Sequence, residues 1–308
     1  MEIEVQNLWF SYDGLLQGER AVLKGISFRI AEGEVVGVVG PSGSGKTTLL
    51  LHFTGLLRPQ RGKVQADGID VHAPGVDLAS LRRRIGLVFQ FPEVQLFEET
   101  VWKDVAFAAK NLGLPPEEID RRVHTALELV GLEPSRFGPC NPHLLSEGQR
   151  RRVAIAGVLV MDPEVLVLDE PTAGLDAEGV RAVETLVHRF RTMGRTVVLV
   201  SHHLDFVARN CPRLLALSQG ELIFDGTREA FFEDQKLLQS LGFELPRLLR
   251  WWQDKRRQYP QLPPSIYSLD ELRSALGVAG AARETPDPAS SAYPALYGAI
   301  AHGVPFRS

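Results

Sequence analysis

The apolar residues of this chain follow two patterns, and each pattern predicts a different kind of strand. Short segments with alternating apolar and polar residues predict antiparallel strands at residues 2–12 and 21–30. Continuous apolar runs predict strands that are buried on both faces, as in a parallel sheet. These runs lie at residues 34–39, 85–89, 165–168 and 196–201.

Segments with helical periodicity separate the continuous runs. They lie at residues 47–55, 102–112, 117–130, 146–161 and 177–192. Strands that alternate with helices predict an α/β fold, in which helices cover the faces of a mostly parallel sheet.

The pattern changes near Gly226, after which several short helical segments follow one another. Still later the composition becomes rich in Ala, Gly, Pro and Ser, which is typical of a poorly ordered tail. We therefore predict a first domain, a small helical extension that contributes to dimerisation, and a flexible tail, at residues 1–233, 234–278 and 279–308.

Bulk composition restricts the class of protein. The net charge of −4 and the pI of about 6.1 argue against a nucleic-acid-binding protein that relies on overall basicity. Cys140 and Cys211 have no metal-binding spacing and form no disulfide framework, which fits a reducing cytosol. No segment approaches the roughly 20 apolar residues that span a bilayer. We expect a soluble chain, so any membrane part must come from another protein.

A glycine-rich loop follows the strand at residues 34–39 and precedes a helix. Its glycines allow a tight turn that aims backbone N–H groups at phosphates, and the helix N-terminus adds a positive dipole. Lys46 is expected to bridge the β- and γ-phosphates of a nucleotide, with the Thr47 hydroxyl on Mg²⁺. The candidate nucleotide contacts are Gly40, Ser42, Gly43, Gly45, Lys46, Thr47 and Thr48.

Polar side chains end three of the predicted buried strands. Asp169 is placed to hold Mg²⁺, and Glu170 to orient and deprotonate an attacking water. His202 is placed to contact the γ-phosphate or that water. The amide of Gln90 suits Mg²⁺ and water, so the candidate metal ligands are Thr47, Gln90 and Asp169 and the candidate catalytic residues are Lys46, Gln90, Glu170 and His202.

Two further features bear on nucleotide binding. Tyr12 offers a ring face on which adenine can stack, and the alternative is a tyrosine of the core. Ser146, Gly148 and Gln149 open a helix that can approach a γ-phosphate closely. Because the chain's own phosphate already has Lys46, this helix is expected to face a nucleotide bound to a partner subunit.

These motifs, in this order, resemble the nucleotide-binding domain of ABC transporters over residues 1–233. The resemblance implies an α/β P-loop NTPase fold of ABC type, with a mostly parallel core sheet, an N-terminal antiparallel β subdomain and a helical signature subdomain. It also implies an ATPase that uses ATP and Mg²⁺. The implied roles are adenine contact for Tyr12, Walker A for Lys46 and Thr47, Q-loop for Gln90, signature for Ser146, Gly148 and Gln149, Walker B for Asp169 and Glu170, D-loop for Asp176, and switch histidine for His202.

The signature departs from the family pattern at one position, where Glu147 replaces a glycine. A carboxylate that faces a triphosphate is repelled by it. We therefore expect Glu147 to point away from the nucleotide or to meet an arginine, either Arg150 or Arg151.

The segment at residues 90–101, Gln-Phe-Pro-Glu-Val-Gln-Leu-Phe-Glu-Glu-Thr-Val, is similar to that of energy-coupling factor ATPases, as is the run at residues 151–159. Such proteins power the uptake of vitamins or of cobalt and nickel ions. The chain looks more like the second ATPase of these complexes. The resemblance implies a heterodimer with a first ATPase, with a homodimer as the alternative, at the cytoplasmic face of a prokaryotic membrane.

That resemblance also implies membrane partners: a transmembrane T component that carries a substrate-binding S component. Phe91, Leu96 and Phe97 are expected to belong to the surface that grips the T component, and an ordinary packed loop is the alternative. Residues after Thr227 are expected to help hold the two ATPases together, with apolar contacts from Leu248, Leu249, Trp251 and Trp252.

Three other functions fit part of the pattern. The chain can be the ATPase of another ABC importer class, although the string around Gln90 is unlike theirs. It can be a soluble ABC protein that acts on ribosomes or DNA, although such proteins usually carry two ATPase domains or a long coiled coil. It can be a non-hydrolysing scaffold, against which the complete set of Lys46, Asp169, Glu170 and His202 argues.

Overall fold

A computed structural model describes residues 1–14, 21–259 and 262–275. The strands are β1 Ile3–Phe10, β2 Leu23–Ile30, β3 Val35–Val39, β4 Arg61–Ala66, β5 Ile69–Asp70, β6 Ile85–Val88, β7 Val165–Asp169, β8 Thr196–Val200, β9 Arg213–Ser218 and β10 Glu221–Thr227. The predicted flexible tail at residues 279–308 lies outside the described residues.

Twelve helices accompany these strands in the described residues. They are α1 Lys46–Phe53, α2 Leu78–Arg84, α3 Val101–Asn111, α4 Pro116–Leu129, α5 Pro134–Phe137, α6 Glu147–Leu159, α7 Ala177–Thr192, α8 Leu204–Asn210, α9 Arg228–Glu233, α10 Gln235–Ser240, α11 Arg247–Gln258 and α12 Leu269–Ala275. Two 3₁₀ turns, Pro92–Gln95 and Pro142–Leu144, complete the regular structure.

The strands form two sheets, as predicted. A four-stranded antiparallel sheet has the order β2-β1-β4-β5, and a six-stranded sheet has the order β10-β9-β3-β8-β7-β6. Within the larger sheet every neighbouring pair is parallel except β9 and β10. Because parallel strands end at one edge, the segments that follow β3, β6, β7 and β8 lie along the same edge.

The larger sheet is buried on both faces, which explains its continuous apolar runs. Successive side chains of a strand point to opposite faces. Accordingly Val35 and Val39 of β3 pack into one apolar cluster, with the helices α3, α4, α6 and α7, while Val36 and Val38 pack into a second cluster with the antiparallel sheet and α1. The fold is therefore the predicted α/β fold of ABC type.

Some element bounds differ from the sequence-based prediction. The helix predicted at residues 146–161 spans Glu147–Leu159, because Ser146 is its N-cap rather than its first residue. Asp162 has a positive φ of +58° and precedes a proline, so the helix cannot continue. Strand β6 ends at Val88, one position before the predicted end of the run.

The C-terminal extension packs closely on the rest of the chain. Leu249 and Trp252 are 2% and 1% exposed, so neither side chain is available to a partner subunit, and the prediction was wrong for these two residues. Leu249 and Trp252 are three positions apart in α11, so they lie on the same face of the helix, and this face is buried. Leu248 and Trp251 are only partly buried.

In the described part of the chain, no helix has the length and apolarity that a membrane crossing requires.

One histidine is completely buried in α1. His52 is 0% exposed, its Nδ1 lies 2.8 Å from the carbonyl oxygen of Thr48, and its ring meets Phe10 edge-on at 4.8 Å. Its Nε2 is buried, and no described residue forms a hydrogen bond with it. Burial disfavours the charged imidazolium and lowers the pKa of His52 to about 4.

This depressed pKa predicts that the protein loses stability in mild acid. The unfolded chain takes up a proton on His52 as the pH falls through about 6.5, whereas the folded chain resists protonation down to about pH 4. The contribution of His52 to the free energy of unfolding should therefore drop by about 2 kcal/mol between pH 7 and pH 5. Urea denaturation at both pH values measures it.

The variant His52→Leu should show a shallower dependence of stability on pH than the wild type. His188, which is exposed on α7, provides the control, and His188→Gln should leave the dependence unchanged. An equal drop in the wild type and in His52→Leu would contradict the prediction.

Candidate nucleotide-binding site

The phosphate loop runs from the end of β3 into α1, as its sequence predicts, and two of its glycines are required by packing. A Cβ atom on Gly40 would lie 2.2 Å from the carbonyl oxygen of Leu217. Gly45 has a φ of +98°, and a Cβ atom there would lie 2.8 Å from Cδ2 of Leu23. Both positions therefore exclude any larger residue and hold the loop close to its neighbours.

Lys46 lies at the start of α1 with its ammonium group inside the loop. Its Nζ donates hydrogen bonds to the carbonyl oxygens of Gly40 and Pro41, each at 2.8 Å. Burial lowers the pKa of Lys46, while the nearby Glu170 and Asp169 carboxylates oppose that shift. The positive charge is thus held within the loop, whose backbone N–H groups are expected to bind phosphate oxygens.

The structure brings Thr47 and Asp169 together from two elements that are distant in sequence. The Thr47 hydroxyl donates a 2.7 Å hydrogen bond to Oδ2 of Asp169, at the end of β7. Burial raises the pKa of the Asp169 carboxyl, and the Thr47 hydrogen bond opposes that shift. A hydroxyl beside a carboxylate is a pair of hard oxygen ligands, which suits Mg²⁺ when substrate phosphates supply the remaining ligands.

Gln90, the third predicted metal ligand, is exposed just after β6, and β6 is the neighbour of β7 in the sheet. It therefore lies at the same edge as Asp169. Among the described residues, no group of three or more His, Cys, Asp or Glu side chains could hold a metal ion by itself. A magnesium ion at this edge would accordingly depend on phosphate oxygens as well as on Thr47, Asp169 and Gln90.

Glu170 is held firmly in an uncommon backbone conformation. Its φ is +50°, and only 8% of the residue is exposed. The Ser201 hydroxyl donates to its Oε2 at 3.2 Å, and the backbone N–H of His202 donates to its Oε1 at 3.0 Å. Left-handed backbone in a residue other than glycine is typical of functional sites, where surrounding contacts maintain it.

The imidazole of His202 lies directly against Glu170. Its Nδ1 is 2.8 Å from Oε1 of Glu170, while half of the imidazole surface remains exposed. The two side chains come from β7 and β8, which are adjacent strands. Sequence analysis proposed both residues but not Ser201, whose only signal is its position immediately before His202 at the end of a strand. His203 is exposed and is the N-cap of α8.

Tyr12 is not a core residue, so that alternative is excluded. It is 65% exposed, and its hydroxyl shares a 3.1 Å hydrogen bond with Oγ1 of Thr48. Its ring meets Phe10 edge-on at 5.0 Å, which leaves ring surface open beside the phosphate loop. A planar base can stack on such a ring.

The signature residues lie at the start of α6, where Ser146 and Gln149 form hydrogen bonds with each other. The Ser146 hydroxyl accepts from the N–H of Gln149 at 3.3 Å, and the side-chain oxygen of Gln149 accepts from the N–H of Ser146 at 3.1 Å, which is a capping box. In the described residues, no hydrogen bond joins Ser146, Gly148 or Gln149 to Lys46 or Asp169. Ser146 is exposed, so this helix end is accessible to another molecule.

The surroundings of the signature exclude Arg151 as the arginine that Glu147 meets. Arg151 is turned toward Glu93, with Nε–Oε2 and Nη2–Oε1 distances of 3.2 Å, so it does not pair with Glu147. The Oε1 atom of Glu147 lies instead 3.2 Å from the point where a Cβ on Gly174 would be. Glu147 therefore approaches the loop before α7, whose N-cap, Asp176, accepts from the N–H of Gly179 at 2.8 Å.

The segment after Gln90 presents an apolar surface. Phe91, Val94 and Phe97 are 48%, 80% and 59% exposed, and we call these three residues the apolar face. Phe97 also meets Phe107 edge-on at 4.9 Å. Leu96 was expected on this surface but is buried, because the 3₁₀ turn Pro92–Gln95 directs it into the main core. Val94 was not singled out from the sequence.

Comparison with known proteins places the chain in a family. The ABC transporter family model matches residues 23–173. The energy-coupling factor transporter ATP-binding protein EcfA2 of Symbiobacterium thermophilum is 45% identical over 265 residues, which are 86% of this chain and 92% of the relative.

Solved structures agree with the sequence relatives. The structure of cbiO1 from Clostridium perfringens, described as part of the ABC transporter complex cbiONQ, is 38% identical with a TM-score of 0.68, and covers 80% of this chain and 96% of that one. The ATP-binding cassette MJ0796, in a dimeric post-hydrolysis state bound to ADP and Pi, is 31% identical with a TM-score of 0.64, and covers 73% of this chain and 98% of that one.

Proposed function

The chain belongs to the energy-coupling factor family of ABC transporter ATP-binding proteins, and we propose that it hydrolyses ATP with Mg²⁺ to power the uptake of a vitamin or a transition-metal ion. The observation that carries the proposal is the arrangement at the sheet edge. There Thr47 contacts Asp169, and Glu170 contacts His202, all beside Lys46.

Each residue of this edge has a distinct task in hydrolysis. Lys46 and the loop N–H groups hold the β- and γ-phosphates, and Thr47 and Asp169 would hold a magnesium ion together with Gln90. The ion would neutralise phosphate charge. Glu170 takes a proton from water as the water oxygen bonds to the γ-phosphorus and the bond to the β-phosphate oxygen breaks. His202, which lies against Glu170, hydrogen-bonds the γ-phosphate or that water.

The rest of the nucleotide is held by groups from both sides of a dimer. Tyr12 stacks on adenine, and Ser42, Gly43 and Thr48 line the loop. The exposed end of α6, with Ser146, Gly148 and Gln149, completes the site of a partner subunit rather than its own, and Asp176 follows at the same interface. Two bound nucleotides would therefore close a dimer, and hydrolysis would open it. We propose a heterodimer with a related ATPase, with a homodimer as the alternative.

Coupling to transport requires a membrane partner. We propose that the apolar face of Phe91, Val94 and Phe97 receives a transmembrane T component, which carries an S component that binds the solute. Large exposed apolar patches commonly mark protein interfaces. The chain would then act at the cytoplasmic face of the membrane, attached through its partners.

Affinity purification from solubilised native membranes tests this function. We expect mass spectrometry to find a second, related ATPase and a small polytopic membrane protein. Val94→Asp should lose the membrane protein while it keeps the ATPase partner, because it places a charge on the apolar face. Ile69→Asp is the control, since Ile69 is 58% exposed on the edge strand β5, outside the apolar face. Recovery of a conventional pair of permeases would contradict the energy-coupling assignment.

A further inference from the structure

The helix α8 begins just after His202, and the C-terminal extension contacts its first turn directly and its last turn through Arg228. At its first turn, Oδ1 of Asp205 accepts a 3.0 Å hydrogen bond from the backbone N–H of Arg247, the first residue of α11. At its last turn, Nη1 of Arg228 donates a 2.8 Å hydrogen bond to the carbonyl oxygen of Ala208. His202 is thus close to a helix that is fixed by hydrogen bonds at its first and last turns.

The contact at the first turn replaces a missing cap. The first N–H groups of a helix have no partner within the helix, and the N-cap of α11 is Pro246, whose side chain accepts no hydrogen bond. Asp205 supplies that acceptor from a different element, and its negative charge faces the positive end of the α11 dipole.

The contact at the last turn involves the extension through an arginine. The guanidinium of Arg228 lies 4.0 Å from the ring centroid of Tyr267, and its Nη2 lies 3.5 Å from Oε1 of Glu271 in α12. Glu271 in turn accepts from the backbone N–H of Tyr267 at 2.6 Å. Arg228 therefore joins the end of α8 to two separate parts of the extension.

Apolar packing makes this connection stiff. Leu204 and Phe206 of α8 belong to the same buried cluster as Leu249 of α11 and Tyr267. Close-packed interiors transmit displacements rather than absorb them. A shift of the extension would consequently move α8, and His202 precedes α8 by only one intervening residue, His203.

We propose that Asp205 is a positioning residue that links the seating of α11 to the position of the His202 imidazole against Glu170. The extension thereby sets the catalytic competence of the ATP site from outside it. This inference rests on the proposed function, because it assumes that His202 acts in hydrolysis.

Steady-state ATPase kinetics of the purified complex, with wild type, Asp205→Ala, Asp205→Asn and His202→Ala, tests the proposal. Asp205→Ala should lower kcat roughly fivefold and leave the KM for ATP unchanged, because it loosens His202 without touching the nucleotide. Asp205→Asn should recover most of the rate, because its side-chain oxygen still accepts the Arg247 hydrogen bond. Asp254→Ala is the control, since Asp254 is exposed on α11 and, among the residues that the structure describes, pairs only with Arg257.

Hydrogen exchange provides a readout that is independent of turnover. Amides of residues 203–210 should exchange faster in Asp205→Ala than in wild type, and not in Asp254→Ala. Wild-type kcat in Asp205→Ala, together with a slow His202→Ala enzyme, would overturn the inference and leave the proposed function intact. Wild-type turnover in His202→Ala would overturn the inference together with the role of His202, whereas a wild-type complex that does not hydrolyse ATP would overturn the proposed function. An equal loss of kcat in Asp254→Ala would also overturn the inference, since it would reveal general destabilisation.

Discussion

Replacing Glu170 by Gln is expected to reduce ATP turnover by about 10²–10⁴-fold, the range that loss of a general base produces. Gln keeps the shape of the side chain, and its single amide oxygen can still accept a hydrogen bond from Ser201 or from the N–H of His202. It cannot take a proton from water. ATP should therefore still bind, and the closed dimer should accumulate because hydrolysis no longer opens it.

Phosphate release at saturating ATP measures the loss, and size-exclusion chromatography with and without ATP measures the closed dimer. Glu221→Gln is a suitable control, because Glu221 is exposed on β10, at the far edge of the sheet. Its turnover should match the wild type. Unchanged turnover in Glu170→Gln would remove Glu170 from the role of base and would leave water activation to another group.

The variant Glu93→Ala should lower the free energy of unfolding by about 3–5 kcal/mol, the cost of leaving one member of a buried ion pair alone. The side chains of Arg151 and Glu93 are 1% and 9% exposed. Among the described residues, Nη1 of Arg151 already has no hydrogen-bond partner, and none of them offers this guanidinium a second acceptor in place of Glu93. The pair joins the 3₁₀ turn beneath the apolar face to α6, which begins at the signature.

A double variant separates the charge effect from packing. Glu93→Met combined with Arg151→Met removes both charges and should regain more than half of the lost stability, since apolar pairs often replace buried ion pairs at little cost. Urea denaturation followed by circular dichroism measures all of these variants. Glu99→Ala breaks an exposed pair with Lys103 and should leave the unfolding midpoint unchanged. A double variant as unstable as Glu93→Ala would show that the cavity, not the orphaned charge, dominates.

Much of the fold could be predicted because its signals are local. Continuous apolar runs identified β3, β6, β7 and β8, and helical periodicity identified α7 with both bounds correct. The phosphate loop was equally clear, since its glycines and Lys46 lie within one short segment. The ends of helices were predicted less accurately. A serine such as Ser146 is typical of a helix start, yet as an N-cap it lies just outside the helix.

The contacts that assemble the site could not be predicted from local sequence patterns. Glu170 meets Ser201 and His202 only because β7 lies next to β8, and the residues are separated by more than 30 positions. The Glu93–Arg151 pair spans 58 positions. Leu96 and Val94 differ by two positions and are both apolar, yet one is buried and the other exposed.

The sequence by itself determined the order of elements, the class of fold and the set of groups that can act on a phosphate. Each of these depends on residue type and spacing within a few turns or one loop. Tertiary structure alone decided which groups contact Glu170, that Arg151 pairs with Glu93 rather than Glu147, and that α8 is hydrogen-bonded at both ends. The order of strands and the pairing of distant side chains depend on packing across the whole chain. A short segment of the sequence therefore does not contain the information that determines them.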